Sequence, residues 1–301
     1  MNKETFKSID PKSLSIADRQ GLLSSAVAPR PICFASTVDK NGKVNLSPFS
    51  FFNVFSSNPP IMIFSPARRG RDGTVKHTYE NVLEVPEVCI NIVNYAMVEQ
   101  MSLASTEYEK GVNEFVKAGF TEITSETITP PRVAESPVSF ECTVDDVIEL
   151  GNEGGAGNLV LSRVQRIHIN TDFLTEEGSL DTTKLDLVAR LGGNWYSRTT
   201  KDSLFEIPKP IRTKGIGIDS LPATIRNSNI LSANNLGRLG NVEQLPSTNE
   251  IEAAQKQYNI LELTQAFEGD IKSRKVHELA KSVLEEGYTE HALAILLSEL
   301  L

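Results

Sequence analysis

From Pro31 onward, short runs rich in Val, Ile, Phe and Thr recur between turn signals, the spacing of a β-sandwich or barrel rather than of βαβ units. Residues 32–38 read as a strand that Asp39-Lys40-Asn41-Gly42 folds back into 44–46, because Asn-Gly supplies the positive φ angles of a tight hairpin. Further strands are expected over 61–65, 88–93, 138–150 and 159–169. Helices are expected over 74–83, after the Gly70-Arg71-Asp72-Gly73 turn, and over 98–105, before the acidic stretch 107–114, which reads as a solvated face. Beyond 205 the pattern changes. Ile207-Pro208-Lys209-Pro210 is extended and 227–241 is crowded with Asn, Ser and Gly, so 206–246 is expected to be a linker. Past Pro246, Asn249 with Glu252 forms a capping-box pattern. Val276, Leu279, Ala280, Val283 and Leu284 then follow the i, i+3, i+4, i+7, i+8 spacing of an amphipathic helix, with Gly287 as its stop. A last helix over 291–301 is apolar round much of its circumference and needs cover from the core or a second subunit. The chain thus divides into a mainly β domain with helices, 1–205, a linker and a helical extension, 247–301.

The net charge of −9 on 301 residues excludes nucleic acid and anionic membranes as natural partners, since the overall field repels a polyanion. Any anion must be held by a local arrangement. Cys33, Cys89 and Cys142 are far apart with apolar or β-branched neighbours, which fits buried free thiols of a reducing compartment rather than a disulfide or metal framework. With no H-x-x-H or H-E-x-x-H pattern, no metal site is expected. His168, between Ile167 and Ile169, reads as a hydrogen-bonded or solvent-facing strand residue. The first fifteen residues lack the apolar run of a signal peptide, and nothing approaches the roughly 18 apolar residues of a membrane span. A cytoplasmic location is expected.

Two segments carry candidate chemistry. In PRPICFASTVDKNGKVNLSPFSFFNVFSSNPPIMIFSP, starting at Pro29, the hydroxyls of Ser36, Thr37, Ser47 and Ser50 lie among aromatics and prolines. That mixture suits a flat amphipathic ligand, with Asn45, serines and backbone groups at its polar edge. It equally suits a hairpin with Ser and Thr facing solvent and Phe49, Phe51, Phe52 and Phe55 in the core. The second segment, Arg68-Arg69-Gly70-Arg71-Asp72-Gly73-Thr74-Val75-Lys76-His77-Thr78, is a cationic loop that opens a helix, either a phosphate cradle or a solvated surface loop. It is not a Walker loop, and no G-x-G-x-x-G follows a strand.

The order of Pro29-Arg30-Pro31, Ser36-Thr37, Asp39, Gly42, N-L-S-P-F-S-F-F at 45–52, Asn58-Pro59-Pro60, Lys76-His77-Thr78 and Asn81 resembles the flavin reductase-like family of FMN-binding split barrels. The resemblance continues through Gly155-Ala156-Gly157-Asn158-Leu159-Val160 and Arg190-Leu191-Gly192-Gly193-Asn194-Trp195-Tyr196, and covers roughly residues 20–200. It implies a six-stranded Greek-key split β-barrel, a homodimer and FMN at or near the subunit interface. It implies that Ser36, Thr37, Asn45, Ser47, Ser50, Phe51 and Phe52 line the ring and ribityl chain. Arg69, Lys76 and Thr78 then hold the phosphate, and Arg190 and the Gly193 to Tyr196 turn, Trp195 included, close the pocket. Two positions depart from the family pattern: His77 stands where Asp is common, and Asn158 where a His is common that can meet the nicotinamide. The implied reaction is hydride transfer from NADH or NADPH to flavin N5, which needs positioning and no acid or base side chain. Electrons then pass to a monooxygenase or another acceptor. A flavoredoxin-like carrier with no nicotinamide site is the alternative. An oxidase of the pyridoxamine-phosphate type shares the barrel but not this motif order.

Overall fold

The hairpin pattern is realised in a computed structural model that describes residues 5–207 and 209–300. Strand β1 (Cys33–Val38) pairs antiparallel with β2 (Val44–Phe49), and Gly42 takes the positive φ of 76° that the turn requires. A second hairpin, β3 (Phe52–Ser57) and β4 (Pro60–Phe64), follows, then β5 (Glu87–Ile92), a short ribbon of β6 (Glu122–Ile123) and β7 (Arg132–Val133), and the long strands β8 (Val138–Glu149) and β9 (Asn158–Ile169). The main sheet is seven-stranded, ordered β2-β1-β5-β8-β9-β4-β3, and antiparallel throughout. It has one strand more than the six implied by the resemblance. Among the described residues, no helix is long and apolar enough to cross a membrane.

Strand β1 is buried along its whole length because each of its faces meets a separate core. Phe34, with Leu46, Met97, Met101, Phe115 and Phe120, fills one cluster. Cys33 and Ala35, pointing the other way as alternation demands, join Phe49, Met62, Phe64, Val88, Ile90 and Cys142 in the second. Helices α1 (Ile16–Ala26), α2 (His77–Glu84), α3 (Val98–Leu103), α4 (Glu114–Ala118) and α5 (Thr182–Leu185) decorate the sheet, and a short hairpin of β10 (Val188–Arg190) and β11 (Tyr196–Arg198) follows. Helix α1 buries none of its residues, so no strong apolar face marks it. Ser15 starts it by accepting the Asp18 amide at 3.1 Å, a cap legible in the sequence.

The acidic stretch 107–114 departs from the solvated reading. Glu114 is buried and its Oε2 accepts the Leu46 amide at 2.8 Å; burial raises its pKa against that hydrogen bond. His168 Nε2 lies 2.6 Å from Glu141 Oε1, and Glu141 is fully buried beneath the loop that precedes β7.

The chain divides into two compact units, Met1–Phe205 and Glu206–Leu301. In the second, the linker predicted over 206–246 is folded instead. It contains α6 (Ala223–Arg226) and α7 (Ala233–Leu239), and Leu221, Ile225, Leu231 and Leu239 are buried in one cluster with residues of the following helices α8 (Thr248–Gln257), α9 (Ile260–Thr264), α10 (Gly269–Glu285) and α11 (Thr289–Leu297). Its polar residues act as caps: Ser232 and Asn235 form a capping box. The box that opens α8 is Ser247 with Glu250, two residues before the predicted pair. Residues 292–297 of the apolar last helix are buried within this unit, so its own partners cover them. Pro208 and Leu301 lie outside the described residues. His277 is buried, its Nδ1 2.7 Å from Ser228 Oγ and its Nε2 3.2 Å from Glu299 Oε2, joining three segments of the unit.

Candidate functional site

A cleft of about 870 Å3 opens in the first unit, within the size range of small-molecule sites. Its apolar lining comes from the β2–β3 corner, where Ser47, Pro48, Phe49, Ser50 and Phe51 turn between the two hairpins, and from Ile16 and Leu23 of α1. Its charged lining is mostly cationic: Arg19, Arg30, Arg68, Arg69, Arg71, Lys76 and Arg190 border it, with the acids Glu107 and Glu153. In a chain with a net charge of −9, that is the local arrangement an anion requires.

The cationic loop is held by its own hydrogen bonds. Asp72 Oδ1 accepts the Thr74 amide at 3.0 Å and its hydroxyl at 2.6 Å, and Gly73 takes a φ of 70°. Arg69 donates to Thr74 Oγ1 at 3.0 Å and to the Val75 carbonyl. The 151–156 loop closes against it, with Arg68 N donating to Ala156 O at 2.8 Å and Gly155 N to Arg68 O at 3.0 Å. The approach requires glycine: a Cβ on Gly154 would lie 2.8 Å from Gly70 O. Glu149 braces Arg68 at 3.1 Å and takes a hydrogen bond from the Tyr79 hydroxyl at 2.6 Å.

The Glu107 carboxylate lies among the cations, 3.0 Å from Arg69 Nε, 2.6 Å from Arg71 Nη2 and 3.6 Å from Lys76 Nζ. Its hydrogen bonds from Arg71 and Arg69 depress its pKa. Burial, followed by the charge of Arg69, lowers that of Lys76. An oxyanion with several acceptor oxygens fits this donor set, and the Nε of Arg68 is buried with no hydrogen-bond partner. The arrangement therefore fits a ligand phosphate beside a planar apolar group.

Of the residues singled out from the sequence, Ser47, Ser50, Phe51, Arg69, Lys76, Arg190 and Gly193 border the cleft. The others do not. Ser36 and Thr37 are buried in β1. Asn45 Nδ2 donates to Thr78 Oγ1 at 2.9 Å and Asn81 Nδ2 to Thr37 Oγ1 at 3.1 Å, all buried, so these four side chains fasten α2 to the first hairpin. Phe52 packs against the core, and His77 begins α2. Asn158 is fully buried, donating to the Pro66 carbonyl at 2.8 Å. Trp195 is 75% exposed and does not line the cleft. Sequence reasoning missed the α1 residues, whose signal is the Ser15 cap. It also missed Arg30, whose guanidinium donates to the Ser24, Val27 and Leu191 carbonyls and lies 5.9 Å from the Phe51 ring. Glu107, read as solvated, is the third omission.

The fold of the first unit has counterparts. Residues 25–184 match the family model of the flavin reductase like domain. An uncharacterised protein of Halalkalibacterium halodurans is 38% identical over 192 residues, 63% of this chain and 91% of that one. Among solved structures, nitrilotriacetate monooxygenase component B from Bacillus cereus is 30% identical with a TM-score of 0.62, the match covering 67% of this chain and 98% of that one. The 2-nitrobenzoate 2-nitroreductase of Pseudomonas fluorescens shares the fold at 24% identity and a TM-score of 0.60, over 69% of this chain and all of that one. The chain belongs to the flavin reductase-like family, and its first unit has that family's split-barrel fold.

Proposed function

We propose that the cleft binds FMN and that the protein is an NAD(P)H-dependent flavin reductase, taking hydride from NADH or NADPH. The observation that carries this reading is the adjacency, in one cleft of an acidic protein, of a cationic grip at Arg69, Arg71 and Lys76 and an aromatic and hydroxyl wall at Ser47, Ser50 and Phe51. When bound, FMN supplies hydride acceptance at its N5 and onward release of electrons. Arg69 and Lys76 hold the phosphate through charge-assisted hydrogen bonds. Phe51 offers an apolar face, and the Ser47 and Ser50 hydroxyls serve the polar edge. Ile16 and Leu23 exclude water from one wall, while Arg30 and Arg190 add positive charge that favours an anionic ligand. No side chain is assigned as acid or base, because the work of the site is positioning.

The similarity to nitrilotriacetate monooxygenase component B supports an electron acceptor of the monooxygenase class. Val54 and Phe55, 62% and 64% exposed on the edge strand β3, support a homodimer, since an apolar edge left open invites pairing. Three buried free thiols suit a cytoplasmic setting. The test is anaerobic titration of FMN-saturated protein with each nicotinamide: bleaching of the flavin's visible absorbance is expected, and its absence with both donors removes the reductase reading.

One observation favours a second reading, an electron carrier without a nicotinamide site. Asn158 stands where the family pattern offers a nicotinamide-contacting His, and its amide is turned inward to Pro66. On that reading only dithionite or a protein partner reduces the bound flavin.

A further inference from the structure

Glu107 belongs to the loop after α3, yet its carboxylate spans three cations supplied by a different loop. Oε1 accepts from Arg69 Nε and faces Lys76 Nζ, and Oε2 accepts from Arg71 Nη2. Two oxygens meeting a fork of guanidinium donors and an ammonium is the contact pattern of a phosphate monoester. Arg69, Arg71 and Lys76 would repel one another in the absence of an anion. Glu107 relieves that repulsion from the surface, with its side chain 39% exposed, so it can leave without unfolding anything. Nothing else fixes the carboxylate: among the described residues, its hydrogen bonds run only to Arg69 and Arg71.

We propose that Glu107 is a built-in surrogate for the ligand's phosphate, holding the three cations together in the ligand-free protein and yielding them when a phosphorylated flavin enters. The inference rests on the flavin reading of the cleft and adds a specificity device to it. A phosphate monoester carries nearly two negative charges at neutral pH, so it outcompetes a single carboxylate. A flavin without phosphate leaves Glu107 in place and gains nothing from the cations. Because each binding event displaces an existing ion-pair network, affinity for FMN is held below what the cations alone would give.

Glu107→Gln keeps the side chain's size and removes its charge. Fluorescence titration of the variant and the wild-type protein with FMN and with riboflavin separates the roles. FMN affinity is expected to rise about two- to fivefold in E107Q, the scale of an exposed ion-pair network, with riboflavin affinity unchanged. The melting temperature of the ligand-free variant is expected to fall, and added FMN to restore more of it than in wild type. Equal or weaker FMN binding by E107Q overturns the proposal and makes Glu107 an organiser of the phosphate grip. If neither protein binds either flavin, the flavin reading fails, and inorganic phosphate decides the surrogate role. Greater thermal stabilisation of E107Q than of wild type by phosphate supports it, and equal stabilisation overturns it.

Discussion

Asn45 and Thr78, 33 residues apart, meet in a buried hydrogen bond of 2.9 Å, Asn45 Nδ2 donating to Thr78 Oγ1. The bond fastens the first turn of α2 to strand β2. Thr78→Val keeps the shape and leaves the Asn45 amide without its acceptor, which costs about 1–3 kcal/mol. Urea unfolding of T78V, N45L and the double variant measures this. The double variant is expected to recover part of the loss, because no polar group is then stranded. Flavin affinity of the folded single variants is expected to stay near wild type, since neither side chain borders the cleft.

Lys76 brings a pH signature. Burial and the neighbouring Arg69 lower its pKa from 10.5, so its charged form is lost at lower pH than that of a free lysine. The charged form is the one that attracts phosphate. FMN affinity is therefore expected to decline on the alkaline side before pH 10.5, while riboflavin affinity does not follow it. Lys76→Arg, charged at every accessible pH, is expected to flatten that decline. A titration in which wild type and K76R fall together assigns the alkaline loss to another group.

What the sequence shows depends on whether a residue's partner is local. The β1–β2 hairpin is legible because Asn41-Gly42 and the flanking apolar runs are contiguous, and the cationic loop because its charges are. Thr37, Asn45, Thr78 and Asn81 are not: side chains suited to a flavin's polar edge are equally suited to bonding one another, and only the fold shows that they do. The same holds for 206–246, where Asn and Ser read as linker until Leu221, Ile225, Leu231 and Leu239 are seen to share one core. Helix α1 escapes notice because it buries no residue. Strand β3 does so because Val54 and Phe55 point outward. Glu107 reads as a solvated acid because the cations it meets are more than 30 residues away in the chain.

Glu141 sets part of the acid limb of stability. Its burial opposes ionisation, but the Thr127 hydroxyl, the Glu126 and Thr127 amides and His168 overcome that and hold its pKa at about 2, against an ordinary 4.5. A depressed carboxylate pKa gives stabilisation that is present above about pH 4.5 and lost as pH falls toward about 2. The shift is worth at most about 3 kcal/mol at neutral pH. Glu141→Gln is expected to lower stability at pH 7 by about 1–3 kcal/mol and to flatten the loss between those two values. Denaturant unfolding at a series of acid pH values is the measurement, and an unchanged acid limb in E141Q counts against the assignment.

Glycines in the first unit separate positions where space is required from positions where it is spare. A Cβ on Gly154 would lie 2.8 Å from Gly70 O and 3.0 Å from Arg69 O. Both are backbone atoms of the cationic loop, so no rotamer change relieves the contact. Gly154→Ala is expected to cost about 1–3 kcal/mol of stability and, by pushing Arg69 aside, to weaken FMN binding more than riboflavin binding. Gly21 is the control: it lies within α1, and a Cβ there would meet no atom within 4 Å. Gly21→Ala is expected to stabilise the protein by up to about 1 kcal/mol through helix propensity alone, leaving the FMN-to-riboflavin ratio unchanged. If the two substitutions shift that ratio equally, the ratio reports helix α1 rather than the approach of the two loops, and the phosphate grip does not depend on Gly154.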